Sequence, residues 1–381
     1  MNRAQKVLII PDSFKDSISS VEFCAIAKDA ILKISPQTHI QTIPMADGGE
    51  GSIDVFRHIN GYDYQTVRVK NPLGKNITTE YCIQKNTDTA MIEMAKASGL
   101  QMISKNQRNP MKTSSFGTGQ LILDAINSGV KKIILFIGGS ATNDIGVGML
   151  DALGFKFYNY EDEIFSGQVN NIPKIVRIER PRIVKRLQEI SFVVACDVST
   201  RLLGPNGATY TYGKQKGANE EQLKKLENYL RHFSQVAKNT SPTDYSNSEG
   251  SGAAGGVGFS SMTFLNAKYQ SGFELISELL DLENHIKLNS YDLIITGEGR
   301  IDTQTSKGKI LMHLGNMGKE TSIPVIAFGG TVDDNLKELK LKGITELVQI
   351  SSPNESIEEA IRKTEFNLKK AIRNKIQKYL N

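Results

Sequence analysis

The sequence has few of the residues from which disulfide frameworks and metal centres are built. Three cysteines and five histidines occur in 381 residues. Cys24, Cys82 and Cys196 are far apart, odd in number and set in apolar surroundings, which excludes a disulfide framework and a CxxC metal site. The histidines show no metal-ligand spacing, and we interpret them as surface or hydrogen-bonded residues. A reducing compartment is therefore expected.

Long apolar runs and a strong charge are missing as well. The first apolar run, residues 7–10, ends at Pro11 and is far shorter than the core of a signal peptide, and no later run approaches a membrane span. Formal net charge is only +5, because 46 basic residues spread along the chain are faced by 41 acidic ones. This balance is too dilute to indicate nucleic-acid binding and is compatible with an anionic small substrate. We therefore expect a cytoplasmic protein with neither a membrane nor a nucleic acid as its partner.

Two well-known active-site signatures are also absent. The sequence contains no GxxxxGK[ST] motif, which excludes a P-loop enzyme. It contains no nucleophile elbow, which argues against an α/β-hydrolase type of acyl transfer. Any catalytic site must therefore be assembled from other residues.

Short apolar runs that end in glycine or an acidic residue recur along the chain. They are continuous rather than alternating, which is typical of strands buried on both faces. The residues that follow or end these runs are Asp12, Asp47, Gly138, Asp197, Glu298 and Gly329. Segments with helical spacing separate several runs, and the segment 20–34 has Ser19 or Ser20 as its N-cap. The sequence therefore predicts an α/β fold with largely parallel sheets.

The middle of the chain has a different pattern. Residues 66–93 contain three strand-like pieces joined by turn residues, which predicts antiparallel pairing. A chain of 381 residues also exceeds the usual size of a single core. We predict a discontinuous Rossmann-like domain with a parallel sheet, residues 1–66 and 289–381, and an inserted α/β domain with a mixed sheet, residues 67–288. The Ser/Gly-rich stretch 238–256 is predicted to be a loop without packing capacity, exposed and mobile at its start.

Acids and glycines gather at the predicted strand ends, where ligands bind in open parallel sheets. In "ADGGEGS" the three glycines would let backbone N–H groups approach an anion, while Asp47 and Glu50 stay available to a metal or a hydroxyl. One such turn is common after any strand, but its recurrence favours a binding site. Clustered acids without histidine or a reactive cysteine favour catalysis by positioning, Mg²⁺ and electrostatics. Phosphoryl transfer is the reaction class that depends most on those means.

A set of motifs resembles the bacterial type I glycerate kinases, which phosphorylate the 2-hydroxyl, over nearly the whole chain and in order. The motifs are "PDSFK" (11–15), "ADGGEG" (46–51), "GTG" (117–119), "GGSATND" (138–144), "ACD" (195–197), "GPNGA" (204–208), "QKGA" (215–218), "GAAGG" (252–256), "ITGEGRID" (295–302), "QT" (304–305) and "GK" (308–309). The resemblance implies a two-domain kinase that uses ATP and Mg²⁺ to phosphorylate D-glycerate, with 2-phosphoglycerate as the product. It also implies a Rossmann-type domain joined to a second α/β domain, with the active site in the interdomain cleft.

Three positions depart from the pattern of the family that the chain resembles. Asp16 and Ile145 stand where the motifs would carry glycine, and Lys214 stands where a proline would precede "QKGA". The loss of two glycines is expected to change local backbone geometry. The charged residues expected in the site are retained.

The resemblance and the residue types together suggest four sets of site residues. The candidate catalytic residues are Asp47, Asp197, Lys15 and Arg300. The candidate substrate-binding residues are Asp12, Ser13, Lys15, Gly48, Gly49, Glu50 and Arg300. The candidate nucleotide-binding residues are Gly139, Ser140, Asn143, Asp144, Asn206, Lys216 and Gly255. The candidate Mg²⁺ ligands are Asp197, Glu298 and Asp302.

These assignments imply a hypothesis for the mechanism. Cationic side chains and glycine amides would hold the carboxylate of glycerate, and either Asp47 or Asp197 would accept the proton of the reacting hydroxyl. One or two of the candidate Mg²⁺ ligands would hold the metal. If the chain stays extended past Gly297, alternation places Glu298, Arg300 and Asp302 on one side of the strand.

Other readings of the sequence stay open. In the closer alternative, the enzyme phosphorylates another small hydroxy acid or the 3-hydroxyl of glycerate. A more distant alternative is a non-catalytic metabolite-binding protein, which would bind without releasing ADP. The partners expected are ATP and a small organic acid, and a homodimer is a further possibility.

Overall fold

The structure of this chain is a computed structural model that describes residues 4–57, 59–302, 309–333 and 342–380. Three residues of the motifs quoted above, Gln304, Thr305 and Gly308, lie outside the described residues. No helix in the described ranges combines the length and apolar character needed to cross a membrane. The site residues suggested by the sequence are all described.

Strands and helices alternate along most of the chain. The strands are β1 (Lys6–Ile9), β2 (His39–Thr42), β3 (Tyr62–Lys70), β4 (Asn76–Gln84), β5 (Thr89–Glu93), β6 (Lys132–Phe136), β7 (Lys156–Tyr158), β8 (Ile164–Phe165), β9 (Arg177–Glu179), β10 (Ser191–Ala195), β11 (Lys268–Gln270), β12 (Leu293–Ile301), β13 (Val325–Val332) and β14 (Glu346–Gln349). The helices are α1 (Ser20–Leu32), α2 (Ala95–Ser98), α3 (Phe116–Asn127), α4 (Val147–Ala152), α5 (Val184–Glu189), α6 (Ala208–Tyr212), α7 (Glu220–Ala237), α8 (Ala253–Leu265), α9 (Gly272–Leu279), α10 (Leu282–Asn289), α11 (Lys309–Thr321), α12 (Ile357–Arg362) and α13 (Thr364–Ile376). The predicted α/β class is therefore confirmed.

The chain divides into two compact units. The first consists of Met1–Ala46 and Phe273–Asn381, and the second of Asp47–Gly272. The predicted boundary between residues 66 and 67 would cut strand β3, which runs without interruption from Tyr62 to Lys70. The loop that begins at Asp47 therefore belongs to the second unit, together with β3.

The first unit contains a five-stranded sheet in which all strands are parallel, in the order β14-β13-β12-β1-β2. Helix α1 begins where the sequence predicts, because Ser19 and Glu22 form a capping box in which the Ser19 hydroxyl accepts from the Glu22 amide. From β1 the chain moves to one side through α1, and from β12 it moves to the other side through α11. The strand order therefore reverses between β1 and β12, and ligands of open α/β sheets bind beyond the carboxyl ends of such a pair.

The second unit contains a mixed six-stranded sheet in the order β11-β10-β6-β5-β4-β3. Strands β5, β6, β10 and β11 are parallel, whereas β4 is antiparallel to both β3 and β5, which confirms the predicted antiparallel segment. A small antiparallel sheet, β8-β7-β9, belongs to the same unit. Buried aliphatic and aromatic residues from the sheet and from α3, α4, α7 and α8 form one large core cluster.

The Ser/Gly-rich stretch corrects one prediction. Its second part, from Gly250 to Gly256, is buried, and Ala253 and Ala254 belong to the core cluster of the second unit. A Cβ atom at Gly255 would lie 2.2 Å from the carbonyl oxygen of Thr142, so the absence of a side chain is what allows the two backbones to touch. The prediction that this stretch lacks packing capacity was wrong, because glycine packs through its backbone.

Candidate active site

A glycine-rich loop (residues 47–53) crosses the carboxyl ends of the parallel strands in the second unit. We call it the substrate loop because the sequence predicts that it binds the substrate. The amide of Gly138, just after β6, donates to the carbonyl of Gly48 at 3.0 Å. A Cβ atom on Gly138 would lie only 2.5 Å from the Cα of Gly49. The loop is therefore in backbone contact with the end of β6.

Gly48 is required at its position for two separate reasons. Its φ angle is +85°, a left-handed conformation that strains any residue with a side chain. A Cβ atom there would also lie 3.0 Å from the Cα atoms of Cys196 and Gly272, just after β10 and β11. Gly51 shares the left-handed conformation, with φ +84°, but a Cβ atom there would meet nothing within 4 Å.

The two candidate bases lie at this same edge of the second unit. Asp47 is the chain neighbour of Gly48, and its carboxylate accepts from the amide of Gly49 at 3.0 Å. Asp197 follows Cys196, the residue against which Gly48 packs, and its carboxylate accepts from the Ser271 hydroxyl at 2.5 Å. Both aspartates are half-buried. The structure thus brings "ADGGEG" and "ACD", which are distant in sequence, to one edge of a sheet.

The buried carboxylate of Glu93 ends β5 beneath the substrate loop. Its two oxygens accept from the amides of Gly51 at 3.1 Å and Ile53 at 3.3 Å. Burial raises the pKa of Glu93 to about 7, and the nearby Lys96 opposes this rise. Glu93 was not predicted as a site residue. The signal was present in the sequence, because Glu93 is an acidic residue at the end of a continuous apolar strand, much like Asp197 after β10.

Polar residues from two of the predicted nucleotide motifs meet Thr209, which directly follows a third, in a buried cluster. The Lys216 ammonium donates to the Ser140 hydroxyl at 2.9 Å and to the carbonyl of Thr142 at 2.7 Å. The Asn143 amide donates to the Thr209 hydroxyl at 3.1 Å. The side-chain oxygens of Thr142 and Asn143 are buried without a hydrogen-bond partner. Burial lowers the pKa of Lys216 to about 7.

Asp144 lies beside this cluster and is turned into the protein. It is fully buried, and one of its oxygens accepts from both the amide and the hydroxyl of Ser115 at 2.8 Å. The other accepts from the amide of Gly146 at 3.1 Å. Burial raises the pKa of Asp144, and these donors oppose the rise. Its contacts therefore link the loop after β6 to the start of α3.

The other predicted nucleotide residues differ in exposure. Gly139 is exposed just after β6, and Asn206 is exposed in the turn before α6. Gly255 is buried, and its carbonyl accepts from the amide of Ile145 at 2.9 Å. Of these three, only Gly139 and Asn206 offer an accessible surface to a ligand.

The predicted substrate residues of the first unit lie at the carboxyl end of β1. The Asp12 amide donates to the carbonyl of Gly297 at 2.9 Å, and the Asp12 carboxylate accepts from the Ser13 amide at 2.7 Å. Phe14 and Ile18 pair as a short antiparallel bridge, and Lys15 is exposed in the turn between them. These residues therefore flank the point at which the strand order of the first sheet reverses.

The end of β12 completes this edge of the first sheet. The strand stays extended past Gly297 as far as Ile301, as the alternation argument requires. The Arg300 guanidinium lies 3.1 Å from Asp302 and 3.7 Å from Asp333, and two thirds of its side chain is exposed. Glu298 is half-buried on the same strand. The Arg300 guanidinium is therefore exposed to solvent and paired with two carboxylates of the same unit.

The predicted Mg²⁺ ligands belong to both units. Asp197 lies in the second, whereas Glu298 and Asp302 lie in the first. Within the described parts of the chain, no three acidic, histidine or cysteine side chains come together as a group that could hold a metal ion.

Several contacts in these sites have no signal in the sequence. Ser271 binds Asp197 from 74 residues away, and Ser115 binds Asp144 from 29 residues away. Such partners become neighbours only through the pairing of strands. A pattern search along the chain cannot find them, because serine is common in every kind of turn.

Comparison with known proteins identifies the family. The model of the glycerate kinase family matches residues 7–380. A glycerate kinase of Bacillus cereus is 38% identical over 97% of this chain and 96% of its own length. A glycerate 2-kinase of Escherichia coli is 37% identical, with the same coverage of both chains. A crystal structure of a candidate glycerate kinase 2 from Salmonella typhimurium LT2 has a TM-score of 0.79 and 34% identity, and covers 98% of this chain and 97% of that one. With likeness this extensive in both sequence and fold, the chain belongs to the glycerate kinase family of phosphotransferases, which act on an alcohol group.

Proposed function

We propose that this protein transfers the γ-phosphoryl group of ATP to the 2-hydroxyl of D-glycerate and releases ADP and 2-phosphoglycerate. The observation that carries the proposal is the substrate loop, which lies across the carboxyl ends of four parallel strands with two aspartates beside it. Such an edge concentrates backbone dipoles and acidic groups where a phosphoryl acceptor must be positioned. Membership of the glycerate kinase family supports the choice of acceptor.

The carboxylate of glycerate is the proposed ligand of Lys15 and Arg300. Lys15 is exposed in its turn after β1, and Arg300 presents an exposed guanidinium at the end of β12. A guanidinium can bind a carboxylate through two parallel hydrogen bonds, whereas an ammonium acts as a compact point charge. We therefore assign orientation of the substrate to Arg300 and charge neutralisation to Lys15, with Asp12 and Ser13 shaping the turn.

The proposed general base belongs to the second unit and is either Asp47 or Asp197. A base must reach the proton of the reacting hydroxyl at hydrogen-bond distance and must itself be held in place. The Gly49 amide holds Asp47, and the Ser271 hydroxyl holds Asp197. Gly48, Gly49 and Glu50 would then line the acceptor position.

Mg²⁺ is the proposed metal cofactor. Carboxylates are the hard oxygen ligands that Mg²⁺ prefers, and Asp197, Glu298 and Asp302 supply this donor chemistry. When bound, the metal would neutralise charge on the phosphate oxygens. The residues of this chain orient the acceptor and remove its proton.

The phosphates of ATP are proposed to contact the exposed residues Gly139 and Asn206. The other predicted nucleotide residues would support these contacts from inside the protein, because their described contacts are with protein atoms. They are Ser140, Asn143, Asp144, Lys216 and Gly255. Backbone amides after a strand are suitable donors for phosphate oxygens. On this assignment, replacing Asn206 raises the KM for ATP while leaving the KM for glycerate unchanged.

A coupled assay of ADP release tests the function. Purified protein with Mg²⁺ and ATP is expected to release ADP with D-glycerate, and NMR of the product is expected to show phosphate on the 2-position. Phosphate on the 3-position, or faster turnover of another small hydroxy acid, would replace this proposal with one of the alternatives. Binding of glycerate without any ADP release would contradict catalysis altogether.

Substitution of the two aspartates tests the base. Asp47→Asn or Asp197→Asn should lower kcat by a factor on the order of 10² or more, because the lost group accepts a proton in the transition state. Asp63→Asn, at a surface acid of β3 that pairs with Lys85, serves as the matched control and should leave kcat unchanged. Near-normal turnover in both active-site variants would refute the assignment.

A further inference from the structure

Glu93 is a buried carboxylate for which the proposed reaction has no chemical role. It is 1% exposed and lies at the carboxyl end of β5. Both of its oxygens point at backbone amides of the substrate loop, those of Gly51 and Ile53, at 3.1 and 3.3 Å. Burying a carboxylate is costly unless it gains partners of this kind, so its position requires an explanation.

The substrate loop is held at its two ends by different means. At its start, Gly48 is fixed by packing of backbone against backbone beside Cys196 and Gly272. At its end, the amides of Gly51 and Ile53 are fixed by charge-assisted hydrogen bonds to Glu93. The residues proposed to face the substrate, Asp47 to Glu50, lie between or beside these two attachments.

Charged groups surround Glu93 on the loop side and on the sheet side. Lys96 of α2 opposes the rise in the pKa of Glu93, and Asp54, just after the loop, adds to it. Lys96 itself lies 3.2 Å from Asp54 and 3.5 Å from Glu80 of β4. Arg57 also pairs with both Asp54 and Glu80. This network attaches the chain after the loop to the second sheet.

We infer that Glu93 is a positioning residue of the enzyme, whose ionised carboxylate holds the amides of Gly51 and Ile53 and thereby fixes the geometry of the loop that carries Asp47. The inference deepens the proposed function and rests on it for the identity of the substrate. Both carboxylate oxygens of Glu93 accept from loop amides, so Glu93 acts through the loop.

The inference makes the substrate site sensitive to pH. Two carboxylate oxygens can accept from two amides, whereas a protonated carboxyl turns one of its oxygens into a donor. Burial raises the pKa of Glu93 to about 7, so this change occurs near neutral pH. The kcat/KM for glycerate should therefore fall as the pH drops through this value.

The decisive variant is Glu93→Gln, which keeps the size of the side chain and removes its charge. Its amide group presents a donor to one of the two loop amides, and kcat/KM for glycerate should fall by about ten- to a hundredfold. The inflection in kcat/KM near pH 7 should disappear as well. Asp63→Asn, at the surface acid of β3 that pairs with Lys85 and has no contact with the loop amides, is the control and should keep both the rate and the inflection. Ionisation of the substrates is common to all variants and cancels in the comparison.

Hydrogen exchange separates this inference from the proposed function. Peptides that cover the substrate loop should exchange faster in Glu93→Gln than in the wild type, with or without activity toward glycerate. If the wild type fails to phosphorylate glycerate but the loop peptides still exchange faster in Glu93→Gln, the proposed function is wrong and the positioning role stands. If Glu93→Gln does not fold, Glu93→Asp carries the same comparison, because its shorter side chain cannot reach both amides. Unchanged exchange in the loop together with an unchanged pH profile would overturn the inference.

Discussion

Substitution of glycines in the substrate loop gives a sharp test of how the site is built. Three variants separate two physical effects. Gly51→Ala introduces only left-handed strain, since its φ is +84° and its surroundings are open. Gly138→Ala introduces only a close contact, 2.5 Å from the Cα of Gly49. Gly48→Ala introduces both, with φ +85° and backbone atoms of Cys196 at 3.0 Å.

The expected free energies follow from these geometries. A left-handed residue with a side chain costs roughly 1–2 kcal/mol, which is the whole effect expected for Gly51→Ala. A contact with backbone atoms that cannot move aside adds about 1–3 kcal/mol, as for other overpacked sites. Gly48→Ala should therefore lose about 2–5 kcal/mol of unfolding free energy. For a unit of this size, each kcal/mol corresponds to about 2–4 °C in Tm.

Thermal unfolding and steady-state kinetics measure the two consequences. Gly48→Ala and Gly138→Ala displace the loop from the ends of β6 and β10, so kcat/KM for glycerate should fall by at least about tenfold, and by about 10² if the shift reaches 1 Å. Gly51→Ala should stay within a few-fold of the wild type. Equal losses of Tm and activity in Gly48→Ala and Gly51→Ala would refute the reasoning, because the close contacts would then contribute nothing.

Four further substitutions test other parts of the structure. Asp16 and Ile145 both have positive φ, but Asp16 is exposed and Ile145 is fully buried. Asp16→Gly should change the unfolding free energy by less than about 0.5 kcal/mol, because aspartate tolerates the left-handed conformation better than most residues and the added backbone entropy of glycine offsets the relieved strain. Ile145→Gly should lose about 1–3 kcal/mol, because the lost burial exceeds the relieved strain. Urea unfolding that shows equal effects would contradict this. Burial lowers the pKa of Lys216 to about 7. Between this pH and the pKa of an ordinary lysine, the unfolded state binds more protons than the folded state. The free energy of unfolding should therefore rise over this pH range by up to about 1.4 kcal/mol per pH unit. Lys216→Met should flatten this rise in urea unfolding at several pH values, and a wild type without the rise would disprove the account. Ser115→Ala removes a buried hydroxyl that donates to Asp144. Urea unfolding should show a loss of about 1–3 kcal/mol in the free energy of unfolding. An unchanged free energy would mean that this hydrogen bond does not stabilise the fold.

Two of the three positions that depart from the family's motifs show how far sequence comparison reaches. Asp16 and Ile145 replace expected glycines, and in the structure both adopt the left-handed conformation, with φ of 63° and 51°. The backbone geometry that the glycines would serve is thus retained without them. Ile145 is fully buried, and its amide donates to the carbonyl of Gly255, so packing and hydrogen bonding hold a conformation that its own side chain disfavours.

The sequence by itself determined the local elements and the class of the fold. The capping box at Ser19 and the extended course of β12 through Arg300 depend on residues a few positions apart, so a pattern along the chain captures them. Continuous apolar runs indicated parallel strands, because both faces of such strands are covered. The same pattern is the basis for predicting Asp47 and Asp197 as site residues.

The tertiary structure alone decided which strand ends are neighbours. The reversal of strand order between β1 and β12 and the passage of the substrate loop over four strands arise from pairings that no local pattern encodes. The same holds for the burial of Lys216 and for the attachment of the loop to Glu93, 42 residues from Gly51. Hydrogen bonds and packing between distant segments depend on the free energy of the whole folded core, which no local pattern contains. The sequence therefore gives the chemistry of each side chain, and only the fold gives its partners.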